Sequence, residues 1–374
     1  MDGTIRRPLS LLIKPASGRC NLNCRYCFYR AELGAREKAD RGLMSVETAD
    51  ALIGSAVGAA KDTLHVSFQG GEPTLWGLDR FRDFSEKLIG RAKESDPKLK
   101  VSFSIQTNGV LCASDGRWAG FFAENDWLVG LSLDGNKPLH DLNRVDMSDS
   151  GSYETVRKAA DSFAAAGVKY NILTVVTDAL AKKPREIYNE YKNNGWDWMQ
   201  FIPCISNGAE SLSPRRWSRF LCVLFDCWYA DIAAYLSGRS RRRVSVRRFD
   251  DLIRAAAGQT PEECGSRGWC SLQFVVEADG DVYPCDFYCL DQYRLGAIAE
   301  GIPALAGSEN GKSFLRDGAP ALKEECRSCP ALVYCRGGCR RYRGEDGGYV
   351  FCEAEKELAR YAGDRIKALA GYLA

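Results

Sequence analysis

Three cysteines, Cys20, Cys24 and Cys27, stand in a C-x3-C-x2-C pattern near the amino end. Three thiolates this close can hold three irons of a [4Fe–4S] cube. The fourth iron then stays open to the amine and carboxylate of an amino acid, whereas ferredoxin-type clusters use four cysteines. The alternative is a zinc knuckle short of one ligand. Structural zinc prefers four protein ligands, and the two histidines, His65 and His140, are far from this loop in sequence. Further on stands Gly70-Gly71-Glu72-Pro73. Taken alone it reads equally well as a turn.

The chain has sixteen cysteines. Eight of them form a second group: Cys264, Cys270 and Cys285, then Cys326, Cys329, Cys335, Cys339 and Cys352. Eight thiols make two tetrahedral sets, for structural zinc or for further iron–sulfur clusters. Cys289 is left without a ligand role because the eight already complete two sets. Cys112, Cys204, Cys222 and Cys227 are scattered, and free cysteine is among the most buried residue types, so these four are expected in the core.

What positions these groups is an alternation of elements. Short β-rich runs fall at 9–13, 64–68, 101–105, 128–133, 170–176 and 198–202, with helix-like segments at 46–60, 78–93, 152–166 and 184–194 between them. Strands alternating with helices imply βαβ units about a parallel sheet with right-handed crossovers. Six units fall short of the eight of a full barrel. The expected fold is therefore α/β, a partial (β/α)6 TIM-like barrel. In such barrels the chemistry sits at the C-terminal strand ends. Cys20 follows the first run, Gln69 to Pro73 the second, Gln106 to Gly109 the third and Asp134-Gly135 the fourth. A barrel domain is expected over 1–235, a linking helical segment over 236–263 and a cysteine-rich domain over 264–374. One helical stretch is expected at 214–258, and a final helix at 353–372. The cysteine-rich part lacks long periodic segments, as when metal rather than apolar burial organises a fold.

Lys plus Arg number 51 against 49 Asp plus Glu, so there is no global basic field for nucleic acid. The local run Arg239, Arg241, Arg242, Arg243, Arg247 and Arg248 is expected to be a solvated helix end or loop. No stretch reaches the roughly 20 apolar residues of a membrane span. The first fifteen residues offer too short an apolar run for a secretory leader, so a cytoplasmic location is expected. There thiols stay reduced, which argues against a disulfide framework.

With Tyr26 before its last cysteine, the first motif resembles the signature of the radical SAM superfamily, and Gly70 to Pro73 resembles that family's GGEP element. The latter holds the amino group of the methionine moiety of S-adenosylmethionine (SAM). This resemblance implies reductive cleavage of SAM to methionine and a 5′-deoxyadenosyl radical that abstracts hydrogen. The later cysteines resemble the SPASM domain with its two auxiliary [4Fe–4S] clusters, making three clusters in all. By that resemblance Cys264, Cys270, Cys285 and Cys339 ligate the first, and Cys326, Cys329, Cys335 and Cys352 the second.

Further segments resemble the anaerobic sulfatase-maturating enzymes from about residue 8 to 360. They are Ser10 to Ser17, Cys27-Phe28-Tyr29, Phe68 to Thr74, Gln106 to Gly109, Val129 to Gly135, His140 to Arg144, Gln200 to Ile202 and Tyr283 to Tyr288. That family oxidises a cysteine or serine within C/S-x-P/A-x-R of an unfolded or nascent sulfatase polypeptide to Cα-formylglycine. The resemblance implies Asp286 as the base. A carboxylate is a poor base for a thiol in water and needs desolvation to serve. It further implies SAM contacts from Tyr26, Gly70, Gly71, Glu72, Ser132, Arg144 and Ile205, the last standing where Leu is usual. Tyr29, Gln69 and Asn108 would line the substrate path, their plainer reading being turn and strand-end hydrogen bonds. His65 is expected to be structural. An electron donor such as flavodoxin or ferredoxin, and action as a monomer, are expected.

Two rivals remain at this point. One is another SPASM enzyme that forms thioether or carbon–carbon crosslinks on a ribosomal peptide. Only 19 residues precede Cys20, so an N-terminal peptide-binding extension is not expected. The other rival is a zinc-organised binding module.

Overall fold

The computed structural model describes residues 8–206, 208–319, 322–344 and 346–372. The first seven residues, part of the leader reading and of the expected barrel domain, lie outside them, as do the last two of the expected C-terminal domain. The chain divides into two compact units, one of residues 1–132, 141–170 and 271–314, the other of 133–140, 171–270 and 315–374.

All six expected strands form: β1 (Leu9–Lys14), β2 (Thr63–Phe68), β3 (Lys100–Thr107), β4 (Leu128–Ser132), β5 (Lys169–Val176) and β6 (Trp198–Pro203). The four expected helices form as well, at Val46–Ala59, Leu78–Ser95, Tyr153–Ala166 and Pro184–Asn193. Ser45 starts the first of these by accepting the Thr48 N–H at 3.1 Å, which satisfies one orphan helix donor. Four strands go beyond the sequence reading: β7 (Ser245–Val246), β8 (Val275–Glu277), β9 (Asp281–Tyr283) and β10 (Gly296–Ala297). The turn between β8 and β9 rests on Gly280 at φ 90°, and an Asp-Gly pair between short apolar runs is a hairpin signal.

In the first unit the strand order is β10-β9-β8-β1-β2-β3-β4. Strands β1 to β4 run parallel, β8 pairs parallel with β1, and β8, β9 and β10 are antiparallel. The core behind β2 and β3 is aromatic. Phe103 and Trp127 stack at 4.9 Å, Phe68 and Trp127 at 5.5 Å, and Phe81 meets Phe68 edge-on at 4.9 Å.

In the second unit β6 pairs parallel with β5 and with the short β7 (Ser245–Val246). The single helical stretch expected at 214–258 is instead two helices, Pro214–Leu236 and Arg247–Ala256, separated by β7. The β-branched residues Val244 and Val246 favour a strand there. Trp228 Nε1 donates to Val244 O at 3.1 Å, and the Ser245 N–H donates to Asp197 O at 2.8 Å. Helix Cys352–Ala370 lies against Pro214–Leu236, with Asp226 accepting from Tyr361 Oη at 2.6 Å and Arg365 Nη1 at 2.8 Å.

The cysteine-rich region carries one ten-residue helix, Glu309–Gly318, which the sequence reading did not expect. Cys112, Cys204 and Cys227 are buried as expected. Cys222 is only half-buried, on a less covered side of its helix. Of the basic run, Arg239, Arg241, Arg242 and Arg243 lie exposed after a helix, as expected. Arg248 is instead drawn inward by Glu355 and by Ser266 Oγ at 2.6 Å. Among the described residues no disulfide forms, and no helix is long and apolar enough to cross a membrane.

At the ends of β2 and β3 a single carboxylate is saturated. Glu72 Oε1 accepts Thr74 N–H at 3.1 Å, Thr74 Oγ1 at 2.6 Å and Thr107 Oγ1 at 2.7 Å, while Oε2 accepts Asn108 N–H at 2.7 Å. Burial pushes this carboxyl up, and the four donors oppose that shift. Two outcomes are expected in urea denaturation of the protein. Trp127→Ala, which empties the centre of the aromatic core, should cost about 3–5 kcal/mol; Trp127→Phe should cost far less, because the indole Nε1 has no partner to lose. Glu72→Ala leaves buried donors unpaired at about 1–3 kcal/mol each, so the variant should lose at least about 3 kcal/mol.

Candidate active site

The loop Cys20 to Cys27 follows β1 and has almost no regular structure of its own until the helix Phe28–Gly34. It is braced from two sides. The Asn23 N–H donates to Val145 O at 2.7 Å and the Arg25 N–H to Asn143 O at 2.9 Å. On the other side the Gly71 N–H donates to Ser17 O at 2.9 Å and the Glu72 N–H to Arg19 O at 2.8 Å. Such close approach needs glycine. A Cβ on Gly71 would lie 2.1 Å from Arg19 O, and one on Gly70, which has φ 119°, would lie 2.8 Å from Ser17 O.

Within the loop Cys20 Sγ accepts the Leu22 N–H at 3.4 Å. Burial pushes the Cys20 thiol up to about 12 and raises Cys27 as well. Iron loading must displace these protons, since only the thiolate ligates. Among the described residues no three Cys, His, Asp or Glu converge on one point as a single ion asks. A cube asks instead for one thiolate per iron. The donor set, three thiols in a loop fixed by glycine-dependent backbone contacts, fits such a cluster.

Of the other expected SAM contacts, Gly70, Gly71, Glu72, Ser132 and Arg144 belong to the same unit as this loop. Arg144 is buried, with its guanidinium 5.5 Å from the centre of the Tyr26 ring. Ser132 is buried at the end of β4. Glu72 has its carboxylate committed to Thr74, Thr107 and Asn108, so its backbone and the two glycines form the face turned to the loop. Ile205 belongs to the second unit and is partly exposed. His65 is half-buried in β2 and hydrogen-bonded to Ser102 Oγ at 2.9 Å and Ser67 Oγ at 3.0 Å, a structural role. His140 is buried and accepts the Asp134 N–H at 3.2 Å.

Asp286 lies in the turn after β9, and the first unit brings it to the end of β1. Its Oδ2 accepts Tyr29 Oη at 2.7 Å and Gln69 Nε2 at 3.0 Å. Burial, and then the Asp286 charge, hold the Tyr29 phenol well above its ordinary value, so it stays a donor. Thus Tyr29 and Gln69 meet Asp286 directly. Asn108 points elsewhere: its Nδ2 donates to Asn21 Oδ1 at 2.7 Å and approaches Cys20 Sγ at 3.7 Å. The sequence reading gave no role to Lys14, whose ammonium lies 3.0 Å from Asp286 Oδ1, nor to Glu32 and Glu277 beside it. A lysine ending an otherwise apolar strand was the available signal.

In the second unit, Cys264, Cys270 and Cys339 lie near enough for each to feel charge on another of the three. Gly265 permits this, since a Cβ there would stand 3.3 Å from Cys339 Cβ. Likewise Cys352 feels Cys326 and Cys329, and Cys335 feels Cys352. Burial pushes Cys264 and Cys335 up to about 11. Cys285 belongs to the first unit. Cys289 is fully buried there, its sulfur accepting from Lys14 Nζ at 3.2 Å.

Comparison with known proteins identifies the family. Residues 15–190 match the radical SAM superfamily, and residues 264–330 match SPASM, an iron–sulfur cluster-binding domain. The chain is 40% identical to a cysteine-type anaerobic sulfatase-maturating enzyme of Clostridium perfringens, over 96% of this chain and 97% of that one. It is 28% identical to a serine-type enzyme of Bacteroides thetaiotaomicron, over 93% and 87% respectively. The solved structure of native anSMEcpe with bound AdoMet and Cp18Cys peptide superimposes with a TM-score of 0.89 at 38% identity, covering 98% of this chain and all of that one. Streptococcus suis SuiB, at 18% identity and a TM-score of 0.56, shares the fold alone. The chain has the radical SAM fold with a SPASM domain, and it belongs to the anaerobic sulfatase-maturating enzymes.

Proposed function

We propose that this protein oxidises a cysteine or serine in the C/S-x-P/A-x-R segment of an unfolded sulfatase to Cα-formylglycine, with cysteine the preferred target. The observation that carries the reading is the meeting of Asp286, Tyr29 and Gln69 in the same compact unit as the three-cysteine loop. The preference for cysteine rests on relatives: those at 39–40% identity are cysteine-type, and the serine-type ones stand at 28%.

Cys20, Cys24 and Cys27 would ligate the SAM-binding cluster. Gly70, Gly71 and the backbone of Glu72 would receive the amino end of SAM, with Tyr26, Ser132, Arg144 and Ile205 along the rest of it. When bound and reduced, the cluster with SAM supplies a hydrogen-abstracting 5′-deoxyadenosyl radical. Asp286 would take the thiol or hydroxyl proton of the target residue. Its Oδ2 accepts from Tyr29 and Gln69, and its Oδ1 lies buried 3.0 Å from the Lys14 ammonium, so the carboxylate is held at both oxygens. Tyr29 and Gln69 hold the acceptor in place, and the burial around them keeps water from competing. Asn108, turned to Asn21 and Cys20, would steady the cysteine loop.

Two auxiliary clusters would sit on Cys264, Cys270, Cys285 and Cys339, and on Cys326, Cys329, Cys335 and Cys352. They would offer the second electron a way out, since the oxidation removes two electrons from the side chain; a serine then gives the aldehyde directly, and a cysteine gives a thioaldehyde that water hydrolyses with loss of hydrogen sulfide. On this reading the SAM-binding part is 1–235, joined by 236–263 to the cluster-binding part at 264–374. A small acidic one-electron carrier of the flavodoxin or ferredoxin kind, action as a monomer, and a compartment that keeps thiols reduced complete the proposal.

Anaerobic incubation with SAM, a reductant and a short peptide, followed by mass spectrometry, tests the activity. A cysteine peptide should lose about 18 Da and a serine peptide about 2 Da, the former faster. No mass change in either would sink the proposal. Asp286→Asn should make at least about tenfold less aldehyde for each 5′-deoxyadenosine formed, and an unchanged ratio removes Asp286 from the mechanism. The anaerobically reconstituted chain should hold about twelve irons; Cys335→Ser should hold about eight. Zinc in their place would contradict the cluster assignment.

A further inference from the structure

Lys14 ends β1, and the parallel register of β1 and β8 sets it opposite Glu277. Its side chain is 1% exposed. The ammonium lies 3.0 Å from Asp286 Oδ1, 3.7 Å from Glu32 Oε2 and 3.9 Å from Glu277 Oε1. It donates to Cys289 Sγ at 3.2 Å and stands 4.5 Å from the centre of the Tyr29 ring. Arg36 closes the group, 2.8 Å from Glu277 Oε1 and 3.1 Å from Glu32 Oε1. Glu32 lies one helical turn after Tyr29, and Arg36 one turn after Glu32, so all three share a side.

Buried ion groups of this kind are weak devices for stability. Apolar residues of the same volume commonly do as well or better, because each charge must be stripped of water. The placement of this group, at the C-terminal strand ends against Asp286, points to a task in the site. The terminal torsion of an Asp side chain is broad. Tyr29 and Gln69 seize only Oδ2, which leaves the carboxylate plane free to turn about them. Lys14 is the group that reaches Oδ1, and it is itself held from behind by Glu32 and Glu277.

We infer that Lys14 is a positioning residue: held by Glu32 and Glu277, its buried ammonium grips Oδ1 and so fixes the plane of the Asp286 carboxylate. Glu32 and Glu277 keep the ammonium neutralised whether or not Asp286 has taken a proton, so Lys14 does not move during turnover. The inference rests on the proposed role of Asp286 and is tested apart from it.

The test uses the full chain, reconstituted anaerobically, as Lys14→Met. A crystal structure of the variant should show the Asp286 carboxylate turned, with its 2.7 Å contact to Tyr29 lengthened or lost. The yield of aldehyde per 5′-deoxyadenosine should fall at least about tenfold, while the KM for peptide changes little, as when a reacting group loses alignment. A carboxylate that stays in place overturns the inference, and so does an unchanged ratio. Should Lys14→Met fail to fold for want of a counter-ion, the triple variant Lys14→Met, Glu32→Gln, Glu277→Gln balances the buried charge and faces the same two criteria. If the unaltered enzyme oxidises neither peptide, the proposed activity fails. The position of the carboxylate in the variant then decides the inference by itself.

Discussion

The geometry of the site depends on a loop that cannot hold itself. Cys20 to Cys27 must present three thiols in fixed directions, yet its own hydrogen bonds are few. Its shape is imposed by backbone bonds from residues 17–19 to Gly71 and Glu72, and from residues 143 and 145 to Asn23 and Arg25. Those bonds join the ends of three separate chain segments. The bonds to Gly71 and Glu72 exist because residues 70 and 71 carry no side chain where another backbone passes at contact distance. The saturated carboxylate of Glu72 then fixes the same turn to the end of β3. Preorganisation here is a matter of backbone placement, which side-chain repacking cannot easily undo.

Charge follows the same economy of position. The carboxylate in the Glu72 turn is surrounded by neutral donors, whereas Asp286 shares a buried group of two cations and three carboxylates. The first arrangement locks a turn. The second pairs each of its three acids with a buried cation. A phenol, an amide and an ammonium approach that carboxylate from different elements: the helix after the cysteine loop, the end of β2 and the end of β1.

Much of this was legible in the sequence. The six strands and four intervening helices announced themselves because apolar periodicity is strong where both faces of a parallel strand are buried. The cysteine spacing and the Gly-Gly-Glu-Pro turn marked the site, because local chemistry was written in contiguous residues. What escaped was nonlocal. The pairing of β8 with β1 joins residues some 260 apart, and three-residue strands carry no periodicity. Lys14, Glu32 and Glu277 drew no role from the sequence, because only the fold buries them together. Asn108 was expected on the substrate path, but a strand-end amide has many directions open to it, and Asn21 captured it. The expected continuous helix at 214–258 failed at Gly238 to Val246, where turn residues and β-branched side chains interrupt the periodicity.

The pairing of β8 with β1 bears on how such a protein could be cut or recombined. Residues 271–314, although they lie within the cysteine-rich part, fold into the same compact unit as the first four strands. A chain ended before residue 264 would strip β1 of its neighbour and leave a bare row of peptide groups along a flat apolar strand, an invitation to self-association. It would also remove Glu277 and Asp286, leaving the Lys14 ammonium only Glu32 of its three carboxylates. The two sequence families that meet in this polypeptide are therefore not interchangeable modules. Grafting the amino-terminal part onto a foreign partner would require the graft to supply an edge strand ending in an acid.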